Sequence, residues 1–225
     1  MQLCIKWWSL PLLLIVTHVT LATEDQKQDD LTQFDYPFLL GDWVLINSSP
    51  YDEKQNYQSI HLKLQSDYSF LVQIQRMDNT YEYWDGEYEV SGDTLVLGRT
   101  SIEPQLYSFA NTHNRLILNG VTFLKMISQK VSGAWLSDSI GGHDIQSVGV
   151  DKMLLVLQPD FVFYFKASNE KGKEVLHRGV YYLEDDHLVL VYENGELNTT
   201  FNIRNNRMSL MTDDGEMTAL LTKLQ

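Results

Sequence analysis

After residue 22 the chain carries five histidines, His61, His113, His143, His177 and His187, and imidazole is the side chain best suited to bind a metal or act as a base near neutral pH. A catalytic zinc needs three protein ligands converging on one point, yet none of these histidines forms an H-x-H, H-x-x-x-H or H-E-x-x-H pair. His143-Asp144, beside Gly141-Gly142, is the one arrangement a metal or a base would use, and it reads more simply as a polar loop. Carboxylates are abundant. Glu82, Asp85, Glu87 and Glu89 fall along one stretch where a glycosidase-type pair is conceivable, but a solvated outer strand face explains them with fewer assumptions. Asp185-Asp186 and Asp213-Asp214 sit where tight turns favour aspartate. No G-x-S-x-G and no phosphate-binding glycine loop occurs. The expectation is a protein with no catalytic residue, no metal and no cofactor.

Aromatic side chains offer a different chemistry. Tyr81, Tyr83 and Trp84 cluster, with Tyr51, Tyr57 and Tyr107 near expected strand ends. On a strand, Tyr83 and Trp84 must point to opposite sides, so at least one faces outward, where aromatics beside acids suit protein or glycan recognition. Packing across neighbouring strands is the simpler use of such residues. His177 stands 93 residues after Trp84, at the matching place in a second copy of the pattern described below, which makes Tyr81, Tyr83, Trp84 and His177 the candidate binding residues.

The elements that position these residues follow from composition and spacing. The 225 residues hold 17 Lys and Arg against 30 Asp and Glu, a formal charge of −13, which argues against a nucleic-acid partner because such proteins need a basic stripe. Met1 to Lys6 are a short basic start, Trp7 to Leu21 an apolar run and Thr20-Leu21-Ala22 a small-x-small site. This is the anatomy of a secretory signal peptide over residues 1–22, and its run is short for a bilayer span of roughly 20 residues. The single cysteine, Cys4, precedes that run, so the mature chain would have no disulfide and no thiolate site. Export to a periplasm or to the exterior is expected, with no transmembrane segment in the mature chain. Residues 23–35, rich in acids, read as a flexible solvated leader.

From Pro37 onward, short runs of Val, Ile, Leu, Tyr and Phe recur between Gly, Asn and Asp. Ile60, Leu62 and Leu64 alternate with polar neighbours, as do Gly86, Tyr88 and Val90, the period-two mark of half-buried strands. Phe38 to Leu40 suits a short helical lead-in. The chain also repeats itself. Leu40-Gly41-Asp42-Trp43 is echoed by Ser132-Gly133-Ala134-Trp135 at an offset of 92, and Gly86, Tyr88 and Leu95 return as Gly179, Tyr181 and Leu188 at 93. Leu62, Leu64, Asp67 and Phe70 return as Leu155, Leu157, Asp160 and Phe163, and Phe109, Asn114 and Arg115 as Phe201, Asn206 and Arg207. Two copies of one all-β unit are expected, at 36–127 and 130–225. Each is an antiparallel meander of about seven or eight strands that must close into a barrel or fold over, to avoid long unpaired edges.

The G-x-W opening, the L-x-L-x-x-D-x-x-F block, the G-x-Y before a turn and the closing N-R-L-x-L resemble the lipocalin-like β-barrel domains of exported bacterial proteins, over both copies. The resemblance implies that Trp43 and Trp135 close the barrel floors, with Gly41, Gly133, Gly86, Gly179, Tyr88 and Tyr181 as structural residues. It also implies an arginine from a late strand lying across each tryptophan. Arg115 and Arg207 are the nearest candidates, each one hairpin before the last strand. A full lipocalin is deeper than these units of about 95 residues, and small barrels are filled by their own side chains, so self-filled interiors are expected.

The functional expectation is a non-catalytic binding or accessory protein of the bacterial cell envelope. It would meet an envelope or extracellular protein, a basic one on charge grounds. A carrier of a small apolar ligand is the alternative, and a carboxylate hydrolase the third reading.

Overall fold

The computed structural model describes residues 30–47, 55–142 and 149–224. The expected signal segment 1–22, residues 23–29 of the leader, Tyr51 and His143-Asp144 lie outside the described residues. Two closed antiparallel barrels follow one another along the chain, eight strands in each. The first comprises β1 (Gly41–Ile46), β2 (Ser59–Leu64), β3 (Ser69–Gln75), β4 (Tyr81–Ser91), β5 (Thr94–Leu97), β6 (Gln105–Asn111), β7 (Arg115–Leu118) and β8 (Val121–Met126), and β8 pairs with β1 to close the ring. The second comprises β9 (Gly133–Gly141), β10 (Val150–Leu157), β11 (Val162–Asn169), β12 (Glu174–Glu184), β13 (His187–Tyr192), β14 (Gly195–Arg204), β15 (Arg207–Thr212) and β16 (Thr218–Lys223), closed by β16 on β9. The all-β tandem architecture expected from the repeat is the one observed.

Alternation sets what each barrel encloses. Leu62 lies opposite Trp43 on one side and Val72 on the other, and all three are buried. In the second barrel Leu155 lies between Trp135 and Phe165 in the same way. The turns carry the chemistry that tight reversals demand: Asn119 and Gly120, with φ of 47° and 81°, join β7 to β8. Gly86 and Gly179 face Phe70 and Phe163 across the sheet. A Cβ on Gly179 would sit 1.9 Å from the Val191 carbonyl oxygen, so only glycine fits there. Tyr88 and Tyr181 each donate from the phenol to the backbone carbonyl 23 residues earlier, on Gln65 at 2.8 Å and Gln158 at 2.6 Å.

Trp43 and Trp135 are buried near the starts of β1 and β9, but the side chain lying across each is not the arginine that the resemblance implied. The indole N–H of Trp43 donates to the Leu39 carbonyl at 2.8 Å and that of Trp135 to Val131 at 2.9 Å. The cation across each indole is a lysine from the last strand: Lys125 Nζ is 4.9 Å from the Trp43 ring centre and Lys223 Nζ 5.2 Å from that of Trp135. Arg115 and Arg207 are exposed on β7 and β15 and do not belong to either core. Gly41 and Gly133 open β1 and β9 because the lysine stems cross there. A Cβ would meet Lys125 Cε at 3.0 Å or Lys223 Cε at 2.6 Å, and both glycines hold positive φ, +114° and +136°.

The leader needs a second correction, because residues 30–35 are folded. Asp30 caps a short 3₁₀ turn, Leu31–Gln33, by accepting from Thr32 N–H at 3.0 Å, and the turn buries Leu31 while Phe34 is buried just after it. A second turn, Pro37–Leu39, occupies the position of the expected lead-in. This strap lies between the barrels. Leu31 accepts a hydrogen bond from the Tyr182 phenol at 3.2 Å, Phe38 meets the Tyr182 ring edge-on at 5.9 Å, and Asn198 donates to Asp30 at 3.1 Å. Tyr182 and Val189, on the outside of the second barrel, therefore join the apolar cluster of the first. The interiors remain separate, and the second barrel's own cluster contains neither residue. Two apolar side chains three residues apart outweigh the acidic average of the segment, since each fully buried one contributes about 1.5–3 kcal/mol.

Polar contacts fix the same junction. Glu184, buried at the end of β12, accepts from the Ser66 N–H at 2.9 Å. Lys125 Nζ also reaches the Phe38 carbonyl at 3.4 Å and lies 5.4 Å from the ring of Phe161, in the second barrel. Burial lowers the Lys125 amine to about 7, while nearby Asp42 acts in the opposite direction.

Candidate functional site

The junction occupies the end of the first barrel where β1 begins and β8 finishes, so among the described residues the opposite end is the one that the strap and the second barrel leave uncovered. That end holds a cavity of about 460 Å³, lined by Leu45, Tyr57, Ile60, Leu62, Val72, Ile74, Trp84, Leu97, Tyr107, Leu118, Asn119, Val121 and Phe123. All eight strands contribute: β2, β3 and β8 through two alternate inward positions each, and the other five through one residue each. The size falls within the range of small-molecule sites, roughly 300–1,000 Å³. The expectation of a self-filled interior is thus corrected for this barrel.

The reason lies in side-chain size and strand length. β5 spans only four residues against eleven in β4, so the first half of β4 pairs with β3 alone. Trp84 fills part of the space this leaves and packs edge-on against Phe70 at 4.7 Å. In the second barrel the position matching Val72 is Phe165, and His177 stands where Trp84 does. His177 lies between Phe165 and Tyr192, with ring centres 6.2 and 4.8 Å away. An aromatic stack therefore occupies the level that is open in the first barrel.

The four candidate binding residues divide between two environments. Tyr81 and Tyr83 point outward from β4, 48% and 64% exposed, with their rings stacked at 6.4 Å. Trp84 points inward and lines the cavity, and His177 belongs to the interior of the other barrel. They are not one surface. The alternation argument placed Tyr83 and Trp84 on opposite sides, and the structure has them so.

Two of the four carboxylates of β4, Glu82 and Glu87, are engaged in surface ion pairs. Glu82 binds Arg76 through both oxygens, at 2.8 Å and 2.5 Å, and Glu87 binds Arg99 at 2.8 Å. The Arg76 hydrogen bond holds the Glu82 carboxyl below its ordinary range, whereas a glycosidase acid needs a raised one. Among the described residues no group of three or more His, Cys, Asp or Glu is arranged to hold a metal ion. Among them, too, no helix is long and apolar enough to cross a membrane. A broader depression of about 580 Å³ lies on the second barrel, where Asn202, Ser209, Met211, Thr218 and Leu220 line it from β14, β15 and β16. It takes consecutive residues from β9, β14, β15 and β16, Leu210 and Ala219 of the core among them, and is more open to solvent than the barrel mouth.

Sequence reasoning favoured self-filled interiors and kept a ligand carrier only as the alternative, and it missed the strap and the two floor lysines. Lys125 and Lys223 are 98 residues apart, off the register of 92 to 93 that revealed the repeat, because the turn before β16 is longer than Asn119-Gly120.

No family model matches the chain, and no curated protein matches it. Among solved structures, an uncharacterized protein from Bacteroides eggerthii is similar at 16% identity, covering 41% of this chain and 98% of its own, with a TM-score of 0.32. A protein of unknown function of the DUF3598 family from Nostoc punctiforme is similar at 11% identity, covering 84% of this chain and 97% of its own, with a TM-score of 0.21. The tandem closed barrels stand on their own strand pairing.

Proposed function

We propose that the protein is a non-catalytic binding protein that holds a small apolar molecule in the mouth of its first barrel. The observation that carries this reading is the cavity of about 460 Å³ walled almost wholly by aliphatic and aromatic side chains. Enclosing an apolar ligand there removes its surface from water, at about 25 cal/mol per Å², and the walls are already positioned by the strand ladder. The tandem-barrel build and the floor tryptophans agree with a lipocalin-like relationship. The basic-apolar-small start of the chain agrees with export to the periplasm or exterior of a bacterial cell. The neutral probe N-phenyl-1-naphthylamine tests the reading: saturable fluorescence enhancement, displaced by 1-decanol, is expected, and its absence refutes the reading.

A second reading rests on Tyr81 and Tyr83, stacked and exposed on the outside of the same barrel. They form a contact point for an envelope or extracellular protein, and the charge of −13 favours a basic one. Tyr81→Ser with Tyr83→Ser should abolish capture of such a partner and leave the thermal midpoint within about 1 °C, since neither ring is in the core. Retained capture would remove this reading.

A further inference from the structure

We infer that the first barrel selects electrically neutral amphiphiles over anionic ones of the same apolar length. This rests on the proposed ligand site and names its substrate class. The cavity lining contains no Asp, Glu, Lys, Arg or His. Its polar side-chain groups are the phenols of Tyr57 and Tyr107, the indole N–H of Trp84 and the amide of Asn119. The Asn119 carbonyl is already engaged by the Ser108 N–H at 2.8 Å and hydroxyl at 3.1 Å, which leaves its N–H₂ as the donor for a guest. Neither the Tyr57 nor the Tyr107 hydroxyl makes a hydrogen bond to another described residue, so both are available as donors or acceptors. A hydroxyl, ester or carbonyl head is matched by this set.

An anionic head is not. The loops around the open end carry Arg76 and Arg99, and both guanidiniums are committed, Arg76 to Glu82 and the Asn56 carbonyl, Arg99 to Glu87. Asp78 and Glu103 add negative charge to the same loops, and Thr80, hydrogen-bonded to Asp78, holds that carboxyl below its ordinary range. A carboxylate or sulfonate at the mouth would therefore lose hydration, find no uncommitted cation among the described residues to replace it and meet like charge.

The test uses probes that differ only in charge at the head. N-phenyl-1-naphthylamine and its sulfonated counterpart 8-anilinonaphthalene-1-sulfonate share one ring system, and 1-decanol and decanoate share one chain. At pH 7.5 the neutral probe should bind at least tenfold more tightly than the sulfonate, and 1-decanol should displace it at a concentration at least tenfold below decanoate. Val121→Lys, which places a cation at the exposed rim of the cavity, should bring decanoate to within threefold of 1-decanol. Equal displacement by the alcohol and the acid in the wild-type protein, with the neutral probe bound, overturns the charge selection and leaves the ligand site standing. Failure of the neutral probe to bind overturns both.

Discussion

Replacing Lys125 by methionine removes an amine that is 8% exposed between Trp43 and Phe161 and keeps an unbranched apolar stem across the indole. In the folded protein this amine is lowered from 10.5 to about 7, chiefly by burial. A folded value below the unfolded one means that the unfolded chain binds the extra proton between pH 7 and 10.5, so stability rises with pH across that window. The full shift corresponds to about 5 kcal/mol at about 1.4 kcal/mol per unit. From pH 7 to pH 9, where the folded amine is still partly charged at the start, the gain is about 2 kcal/mol. Urea unfolding of wild type and Lys125→Met at both pH values isolates it, because every other titrating group is common to the two proteins. The variant should be the more stable at pH 7, and the difference should shrink by about 2 kcal/mol at pH 9. A difference independent of pH would refute the reasoning. Above pH 10 the buried phenols of Tyr88, Tyr181 and Tyr182, raised by desolvation, bind protons that the unfolded chain has released. Stability should fall there in both proteins.

Leu31→Ala should cost about 2–5 kcal/mol, although the residue sits in a segment of acidic composition, and calorimetric melting would detect it; an unchanged midpoint would contradict the buried strap. Gly179→Ala should destabilise by about 3 kcal/mol or prevent folding, because its Cβ would fall 1.9 Å from the Val191 oxygen, as read by denaturant unfolding or soluble yield. Gly92→Ala meets open space and suffers only from its φ of +60°, so about 1 kcal/mol is expected in the same assay. Glu184→Leu removes the acceptor for the buried Ser66 N–H and should cost about 1–3 kcal/mol, with earlier proteolytic cleavage between the barrels.

Much of the architecture was legible because two independent patterns agree. Period two specified strands, and the echo of Gly41-x-Trp43 in Gly133-x-Trp135 divided them into two units of equal topology. The turns at Asp185-Asp186 and Asp213-Asp214 were legible because aspartate carries local turn chemistry that needs no tertiary context. Where the reading failed, the deciding contacts were long-range or out of register. Lys125 reaches Trp43 only after the barrel closes, and a longer turn before β16 conceals its kinship with Lys223. Leu31 and Phe34 count for little in a composition average, yet they are buried because Tyr182 and Val189 of the other barrel provide a surface for them.

The candidate site was legible only in part. Alternation showed that Tyr83 and Trp84 face opposite sides, but sequence does not reveal how much of a barrel its inward side chains fill. The exchange of Trp84 for His177 was visible. Its consequence, an open mouth in one barrel and an aromatic stack in the other, depended on Val72 against Phe165 and on a β5 of four residues. The repeat thus provides two frames of one kind, and different inward residues at one level make their interiors different.

The most direct test of a ligand site in the first barrel is a fluorescence titration with N-phenyl-1-naphthylamine of wild type, Val72→Phe and His177→Ala. Val72→Phe gives the first barrel the phenyl group that the second already has at that place. The account predicts one probe per chain for wild type and His177→Ala, with affinity reduced at least tenfold in Val72→Phe while its fold is retained. Unchanged binding in a folded Val72→Phe protein, or binding lost on His177→Ala, would contradict it.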